Sequence, residues 1–309
     1  MEENFHTATG LNSSFPVNFK YIRIKFSFMP AKIIDGKRIA EKILNDLKSK
    51  IRNIKEKPGL ALVLVGDNPA SEIYVSSKEK TFKEVEGYCE RHNLSKDISE
   101  MDLLNLVNKL NNDPKIHGIL VQLPLPKHID EHLITNSVLP HKDVDGFTSV
   151  NLGRLFAGSP ILEPATARAV LHLIESTGIK IEGKNAVVIG RSNIVGKPVA
   201  MMLLEKNATV TVCHSKTKNL SEDAKKADIL VAAAGKPKLV AKDMVKQGAV
   251  VIDVGINRIN GKIIGDVDFE NVKEVAGFIT PVPGGVGPMT IAMLMDNTLK
   301  AMELAKKIK

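Results

Sequence analysis

The sequence predicts an α/β protein with two domains and a cleft between them, and three observations support this class. The 309 residues exceed the usual length of a single domain. Short apolar runs alternate with amphipathic helical segments, a rhythm typical of mostly parallel sheets covered by helices. One apolar run leads directly into a glycine-containing loop and then a helix. We therefore expect a small α/β catalytic domain and a Rossmann-like parallel-sheet domain that binds a dinucleotide.

The composition is that of an ordinary globular protein and excludes several other classes. Hydrophobic residues make up 43% of the chain and charged residues 25%. The two cysteines, Cys89 and Cys213, are isolated, which excludes a disulfide scaffold and a Cys-x-x-Cys metal site and favours a reducing, cytoplasmic setting. The motifs single out no metal ligands. The longest uncharged stretch, 276–295, is interrupted by prolines and glycines, so we expect no membrane span.

The formal net charge of +8 does not indicate nucleic-acid binding. Lys and Arg are scattered along the predicted helices, aromatic residues make up only 4% of the chain, and tryptophan is absent. We interpret most of the charge as solvated surface, with the remainder suited to a small polyanionic ligand.

The elements of the first half follow from their patterns. Residues 1–28 lack helical or strand periodicity, so we expect an extension, or a start codon assigned too early, ahead of a domain that begins near residue 30. Deletion of these residues should leave folding and activity nearly unchanged. A short strand and a helix come next, and the helix has apolar residues at helical spacing: Ile39, Ile43, Leu44 and Leu47. We then predict a buried strand at 59–67, a helix at 68–86 capped by Asn68, a helix that opens at Ser99 with Asp102 in a capping-box position, and a strand at 116–126.

The second half continues the alternation. We predict a helix at 166–177, strands at 185–190 and 208–213 with a helix at 196–206 between them, and strands at 228–235 and 248–255. A last helix at 289–307 follows a turn rich in glycine and proline, and it is long enough to return to the first domain.

The loop that follows the strand at 185–190 is the candidate dinucleotide loop. Gly190 permits a tight turn at the strand end, Gly196 lets the helix pack closely, and the N–H groups of the first helical turn attract a pyrophosphate. The loop differs from the usual motif, since Ser192 replaces the middle glycine and Gly196 comes one residue late. A purely structural strand–helix turn is the alternative, and the strand–loop–helix–strand context favours the dinucleotide.

The end of the next strand favours NADP over NAD. An NAD site usually carries a carboxylate there for the ribose 2′-hydroxyl, whereas this strand ends in Cys-His-Ser-Lys and the next carboxylate is Glu222. The Arg191 guanidinium and the Ser215 hydroxyl suit a 2′-phosphate. We interpret His214 as a packing or surface histidine.

Four polar side chains are predicted to converge at strand ends. Tyr74 and Lys78 are four residues apart on a helix and therefore share a face. Gln122 and Asp145 follow two other predicted strand ends, where catalytic groups of open α/β sheets lie. From the pattern alone, a solvated helix lysine remains the alternative for Lys78, and it is the interpretation that we accept for Lys80.

Seven segments together carry a family resemblance. They are VGDNPASEIYVSSKEK, GILVQLPLP, HKDVDGFTSVNLGRL, VVIGRSNIVGKPVAMMLL, ADILVAAAGKP, VVIDVGINR and TPVPGGVGPMTIAML. From residue 30 to about 305 the chain resembles the bifunctional methylenetetrahydrofolate dehydrogenase/methenyltetrahydrofolate cyclohydrolase family. The resemblance implies oxidation of 5,10-methylenetetrahydrofolate with NADP, reversible hydrolysis of the product to 10-formyltetrahydrofolate, a place in one-carbon metabolism and purine biosynthesis, and a homodimer.

The resemblance also implies roles for individual residues. It makes Lys78 the catalytic lysine, Tyr74 its partner, Gln122 the support of the lysine and Asp145 the pterin-binding aspartate. It implies folate contacts from Val121, Leu123, Pro283, Gly284 and Gly285, and dinucleotide contacts from Gly190, Arg191, Ser192, Ser215 and Ile256. We accordingly assign 29–155 with 285–309 to a folate-binding catalytic domain, and 156–284 to an NADP-binding domain.

The predicted domain junction departs from the family. The family usually has Pro-Cys-Thr-Pro-x-Gly there, and this chain has Pro-Ala-Thr-Ala-Arg-Ala at 164–169. We expect Thr166 to cap the following helix. The changes bear on hinge stiffness and nicotinamide packing, and they remove no group that the chemistry needs.

The implied chemistry requires few groups. Loss of hydride from a methylene between two nitrogens needs alignment with the nicotinamide but no base. Hydrolysis of the resulting cation needs a base, and Lys78 serves only as the neutral amine, so we expect burial to depress its pKa. A dehydrogenase without hydrolase activity is the main alternative, against which Lys78 and Gln122 argue. A non-catalytic nucleotide-binding protein is the third.

Overall fold

The structure is a computed structural model that describes residues 30–308. The expectation for residues 1–28 lies outside this range. The helices are α1 (Gly36–Arg52), α2 (Pro69–Glu84), α3 (Glu100–Asn112), α4 (Glu131–Ser137), α5 (Ser149–Phe156), α6 (Ala165–Glu175), α7 (Gly196–Glu205), α8 (Leu220–Lys225), α9 (Phe269–Val272) and α10 (Val286–Ile308). The strands are β1 (Lys32–Ile33), β2 (Gly59–Val65), β3 (Tyr88–Leu94), β4 (Gly118–Val121), β5 (Asn185–Ile189), β6 (Thr209–Cys213), β7 (Ile229–Ala232), β8 (Val250–Asp253), β9 (Asn257–Ile259), β10 (Lys262–Ile264) and β11 (Phe278–Ile279).

Two parallel sheets organise these elements. The larger sheet has the strand order β1-β11-β8-β7-β5-β6, and the smaller has the order β3-β2-β4. All pairings within the two sheets are parallel, and β9 and β10 form a separate antiparallel hairpin. The strand order of the larger sheet reverses at β5, and ligands of open α/β sheets bind at such a point. The predicted α/β class with a Rossmann-like sheet is confirmed.

The first strand of the described chain belongs to the larger sheet, whereas the last helix packs on the smaller one. β1 pairs with β11 at the edge of the larger sheet, in the register Lys32↔Phe278 and Ile33↔Ile279. Our division at 29–155 groups these first residues with the smaller sheet instead. In the other direction, α10 packs against β2 and β4 of the smaller sheet, as predicted for a helix that returns to the first domain.

One apolar core is shared by both sheets. It contains Leu60, Leu62 and Leu64 of β2 and Ala186 and Val188 of β5, together with residues of α1, α6 and α10. The intervening residues of the same two strands face two smaller cores. This alternation is expected for strands whose two faces are both covered by helices. The shared core fixes the position of one sheet relative to the other, and hence the walls of the cleft.

The first turns of three helices show which of the predicted N-cap residues are correct. The Asn68 side chain accepts the N–H groups of Ala70 and Ser71, as predicted. Ser99 caps α3, but the Asp102 carboxylate accepts the Ser99 hydroxyl at 2.6 Å instead of closing a full capping box. The prediction that Thr166 caps α6 is wrong. The Ala165 N–H donates to the Asp145 carbonyl, so the helix begins before Thr166.

No helix among residues 30–308 is both long and apolar enough to cross a membrane. The same residues contain no group of three or more His, Cys, Asp or Glu side chains arranged to hold a metal ion.

Candidate active site

A cavity of about 280 Å³ lies in the cleft between the two sheets. Its walls come from α2, the loops after β4, β5 and β8, the turn before α5 and the first turns of α6 and α10. Tyr74, Lys78, Gln122 and Asp145 all line it. The structure thus places around one cavity the four residues that the sequence predicts to converge.

Lys78 is the most enclosed of the four. Its side chain lies among α2 and β4 residues with 8% of its surface exposed, and Nζ donates a hydrogen bond of 3.1 Å to Gln122 Oε1. Gln122 Nε2 donates to the Leu123 carbonyl at 2.8 Å, so the amide oxygen faces the lysine. Burial lowers the pKa of Lys78, and the charge of Asp145 opposes that effect. A larger fraction of Lys78 than of an exposed lysine is therefore in the neutral form that a base requires.

Asp145 lies partly buried in a turn that a second aspartate builds. The Asp143 carboxylate accepts the N–H groups of Gly146, Phe147 and Thr148 at 2.8 to 3.1 Å. Burial raises the pKa of Asp145, and Lys78 acts in the opposite direction. Sequence analysis missed Asp143, although an Asp-x-Asp-Gly turn signals that one carboxylate holds the backbone while the other is free to bind.

Tyr74 stands where the main cavity meets a second one of about 140 Å³. Pro283, Gly284 and Gly285 line this second cavity, and Ile256 lines both. Burial raises the pKa of Tyr74, with Arg258 opposing the shift, so the phenol stays protonated near neutral pH.

Of the two residues predicted beside Gln122, only one faces the main cavity. Leu123 is part of its lining. Val121 lies behind it, against a small cavity of about 20 Å³ that Leu123 and Asp145 also line. Val121 is the last residue of β4, whereas Gln122 and Leu123 lie in the loop after the strand, where both reach the main cavity.

A third cavity, of about 380 Å³, lies at the carboxyl ends of β5, β6 and β7. Gly190, Arg191, Ser192 and Ser215 line it, as does His214, which we had placed in packing or on the surface. The His214 Nδ1 atom accepts the Lys216 N–H at 3.1 Å. Among the described residues that line this cavity there is no carboxylate, and Arg191 and Lys236 supply positive charge. The residues present therefore fit a phosphate-bearing dinucleotide.

The loop that forms this cavity is packed too tightly for side chains at two positions. A Cβ atom on Gly190 would lie 2.1 Å from the Ala233 carbonyl oxygen, and one on Gly196 would lie 2.2 Å from the Gly190 carbonyl oxygen. Ser192 Oγ accepts the N–H groups of Val195 and Gly196 at 3.1 and 3.3 Å. The hydroxyl thus holds the loop against the helix start. Gly196 lines none of these cavities, and its position serves the packing.

The cavity between the sheets also contains threonines that sequence analysis did not assign to it. The hydroxyls of Thr166 and Thr290 lie 3.5 Å apart at the first turns of α6 and α10. Thr290 stands in an otherwise apolar run, which is the signal that was available. Together they join the two helices at the wall of the cleft.

Both halves of the chain match models of the same known protein family. A model of the tetrahydrofolate dehydrogenase/cyclohydrolase catalytic domain matches residues 34–145, and one of the NAD(P)-binding domain of the same family matches 164–306. The chain is 58% identical over 275 residues to the bifunctional protein FolD of Halothermothrix orenii, covering 87% of this chain and 97% of the relative.

Two solved structures resemble the whole described fold. The bifunctional enzyme FolD, a methylenetetrahydrofolate dehydrogenase/cyclohydrolase from Campylobacter jejuni, is 49% identical with a TM-score of 0.87, over 89% of this chain and 99% of that one. The methylenetetrahydrofolate dehydrogenase-cyclohydrolase of Trypanosoma brucei, complexed with NADP and an inhibitor, is 37% identical with a TM-score of 0.87, over 91% of this chain and 100% of that one.

Proposed function

The chain belongs to the tetrahydrofolate dehydrogenase/cyclohydrolase family, and from that premise we propose how its residues carry out the two reactions. The protein oxidises 5,10-methylenetetrahydrofolate with NADP to 5,10-methenyltetrahydrofolate and hydrolyses this product to 10-formyltetrahydrofolate, reversibly. One observation carries the assignment of residues. The buried amine of Lys78, hydrogen-bonded to Gln122, faces a cavity that the loops of the dinucleotide sheet also line.

We assign Asp145 to the binding of the pterin ring. The amino group and ring N–H of a pterin form a planar pair of donors that matches the two oxygens of one carboxylate. Tyr74 flanks the ring system and separates the main cavity from the second one. The Pro283–Gly285 turn lines that second cavity and receives the part of the folate beyond the pterin.

Dehydrogenation depends on alignment. Bound NADP supplies the hydride acceptor. The chain contributes the walls that align the methylene carbon with the cofactor, namely Val254 from the loop after β8 and, as a dinucleotide contact, Ile256 of the same loop. These walls are apolar, so they fix the position of the carbon without exchanging a proton.

Hydrolysis depends on Lys78. The neutral amine accepts a proton from water as the water oxygen bonds to the methenyl carbon. The resulting ammonium returns this proton to the ring nitrogen as the bond between that nitrogen and the carbon breaks. The remaining hydroxyl proton is released to solvent as the carbonyl forms, which leaves the formyl group on the other nitrogen. Gln122 Oε1 accepts a hydrogen bond from Lys78 and so directs the amine during both transfers.

The Gln122→Met variant tests this assignment. It removes the acceptor of the lysine without removing the lysine. We expect hydrolysis of supplied methenyltetrahydrofolate to fall at least about tenfold, because misplacement of a catalytic group by about 1 Å can cost about 100-fold. Dehydrogenation should stay within a few-fold. Gln247→Met, at an exposed position, is the control. Equal hydrolysis rates in the two variants would overturn the assignment.

We also propose that the protein is a cytoplasmic homodimer that supplies formyl groups for purine biosynthesis. Both cysteines are free, which suits a reducing compartment. β3 is an edge strand of the smaller sheet, and no strand of residues 30–308 pairs with its outer side, so a second copy can extend the sheet there. Light scattering should give twice the chain mass of 33.7 kDa. A monomer at micromolar concentration would contradict the dimer.

A further inference from the structure

The third cavity, at the carboxyl ends of β5, β6 and β7, is lined by a lysine that is not among the predicted dinucleotide contacts. We call this cavity the dinucleotide cavity. Lys236 lies in the turn after β7 and lines the same cavity as Arg191 and Ser215. Lys236 and Arg191 are absent from the ion pairs found among residues 30–308. Two cations without carboxylate partners therefore face one cavity whose lining lacks acidic groups, an arrangement suited to a ligand with more than one phosphate.

The turn that presents Lys236 is fixed by a buried carboxylate. Asp266 is fully buried, and its Oδ2 atom accepts the N–H groups of Ala234 and Gly235 at 2.7 and 2.8 Å. Its Oδ1 atom accepts the Asn257 side-chain amide at 2.9 Å. Because Asp266 occupies the two amides of the turn, they are not available to a phosphate. The Lys236 side chain is the charged group that this turn offers to an anion.

Asp266 is itself rigidly held. Its N–H group donates to Asp253 Oδ1 at 2.9 Å, and its carbonyl accepts the Val240 N–H at 2.9 Å. The Gly265 carbonyl accepts the Lys238 N–H at 3.1 Å, so the far end of the same loop is also tied down. The backbone of Lys236 is thus placed before any ligand binds, and only its side chain has to be ordered.

We propose that Lys236 is a further dinucleotide-binding residue whose ammonium pairs with a phosphate of NADP, and that Asp266 is the positioning residue that holds it at the cavity. This inference rests on the proposed function in taking NADP as the ligand. The partner is a phosphate group, of which NADP offers two kinds. The 2′-phosphate is absent from NAD, whereas the pyrophosphate is common to both dinucleotides.

The Lys236→Gln variant tests the site with NADP and NAD as probes. We expect the KM for NADP to rise about ten- to a hundredfold, the worth of one charge-assisted contact, with kcat within about twofold. Hydrolysis of supplied methenyltetrahydrofolate needs no dinucleotide and should not change. Lys242→Gln, at an exposed position that does not line the cavity, should leave KM unchanged.

The pattern of effects distinguishes the phosphates. A rise in KM with NADP alone assigns the 2′-phosphate, and a rise with both dinucleotides assigns the pyrophosphate. An unchanged KM for both, or an equal fall in hydrolysis, would overturn the proposal. Failure of the unmodified protein to reduce NADP would instead contradict the proposed function itself.

A double-mutant cycle tests the positioning role of Asp266. Asp266→Ala removes the oxygen that accepts the N–H groups of Ala234 and Gly235, so the turn that carries Lys236 is released. Alone it should raise the KM for NADP by up to the Lys236→Gln effect. In the Lys236→Gln background it should add less than about threefold, because both changes remove the same contact. Multiplicative losses would show that Asp266 does not act through Lys236.

Discussion

Replacing Lys78 by methionine should separate the two reactions of the cleft. Methionine keeps most of the length of the side chain in a site where 8% of the lysine surface is exposed, and it removes the amine that donates to Gln122 at 3.1 Å. Hydride transfer asks only for alignment, whereas hydrolysis also asks for a proton acceptor. One substitution therefore acts on the two rates unequally.

The expected magnitude follows from what the amine does and from what its loss leaves behind. Removal of a positioned acid–base group lowers a rate by about 10²–10⁴, which is roughly 3–5 kcal/mol of barrier. In the folded protein the change leaves Gln122 Oε1 without its donor, at a cost of about 1–3 kcal/mol. Loss of the buried amine offsets part of this cost, since burial lowers the pKa of Lys78 and so disfavours its charged form. The variant should therefore fold.

The assay follows the methenyl absorbance in two settings. With supplied methenyltetrahydrofolate, the variant should hydrolyse the substrate about 10²–10⁴ times more slowly than the unmodified protein. With methylenetetrahydrofolate and NADP, the methenyl intermediate should accumulate. Lys80→Met is the matched control, since Lys80 lies on the same helix with 78% of its side chain exposed. If Lys78→Met hydrolysed the supplied substrate as fast as this control, the reasoning would be refuted.

Three further predictions concern cofactor choice, pH and stability. Arg191→Ala should reduce the efficiency with NADP about ten- to a hundredfold and leave NAD nearly unaffected; equal losses with both dinucleotides would exclude a 2′-phosphate contact. Because hydrolysis needs the neutral amine and burial lowers the pKa of Lys78, the hydrolysis rate should rise with pH along a limb centred below about 10.4, the ordinary lysine value, and Lys78→Met should lack that limb. Arg168→Ala should cost about 1–3 kcal/mol in urea unfolding, because it leaves the buried Asn297 Oδ1 without its donor, whereas the Asp296 carboxylate keeps Lys300 at 3.2 Å. The exposed Arg154→Ala should cost under about 0.5 kcal/mol, and equal losses would show that the buried hydrogen bond contributes little.

The sequence predicted those elements whose pattern reflects burial. β2 and β5 are apolar runs because both of their faces are covered, and α1 shows the spacing of a half-buried helix. β3 escaped prediction because it is a partly exposed edge strand with the polar sequence YCERHNL. Its place is fixed by seven register pairs with β2, a tertiary cause that local propensity does not contain.

The site was predictable to the extent that strand ends and helix faces bring residues together. Tyr74 and Lys78 share one face of α2, Gln122 follows the end of β4 and Asp145 lies in the turn before α5, and all four are directed into the cleft. The role of Asp266 could not be predicted, since its partners Ala234 and Gly235 lie more than thirty residues away. Only the folded loops bring that carboxylate to the turn that carries Lys236.

The central claim is that one cleft serves both reactions, and competition between the two substrates tests it most directly. Without a dinucleotide, methylenetetrahydrofolate cannot be oxidised and can only occupy the site. It should then inhibit the hydrolysis of methenyltetrahydrofolate competitively, with an inhibition constant within about threefold of its KM in the NADP-dependent reaction. Hydrolysis that proceeds uninhibited at saturating methylenetetrahydrofolate would contradict a shared cleft.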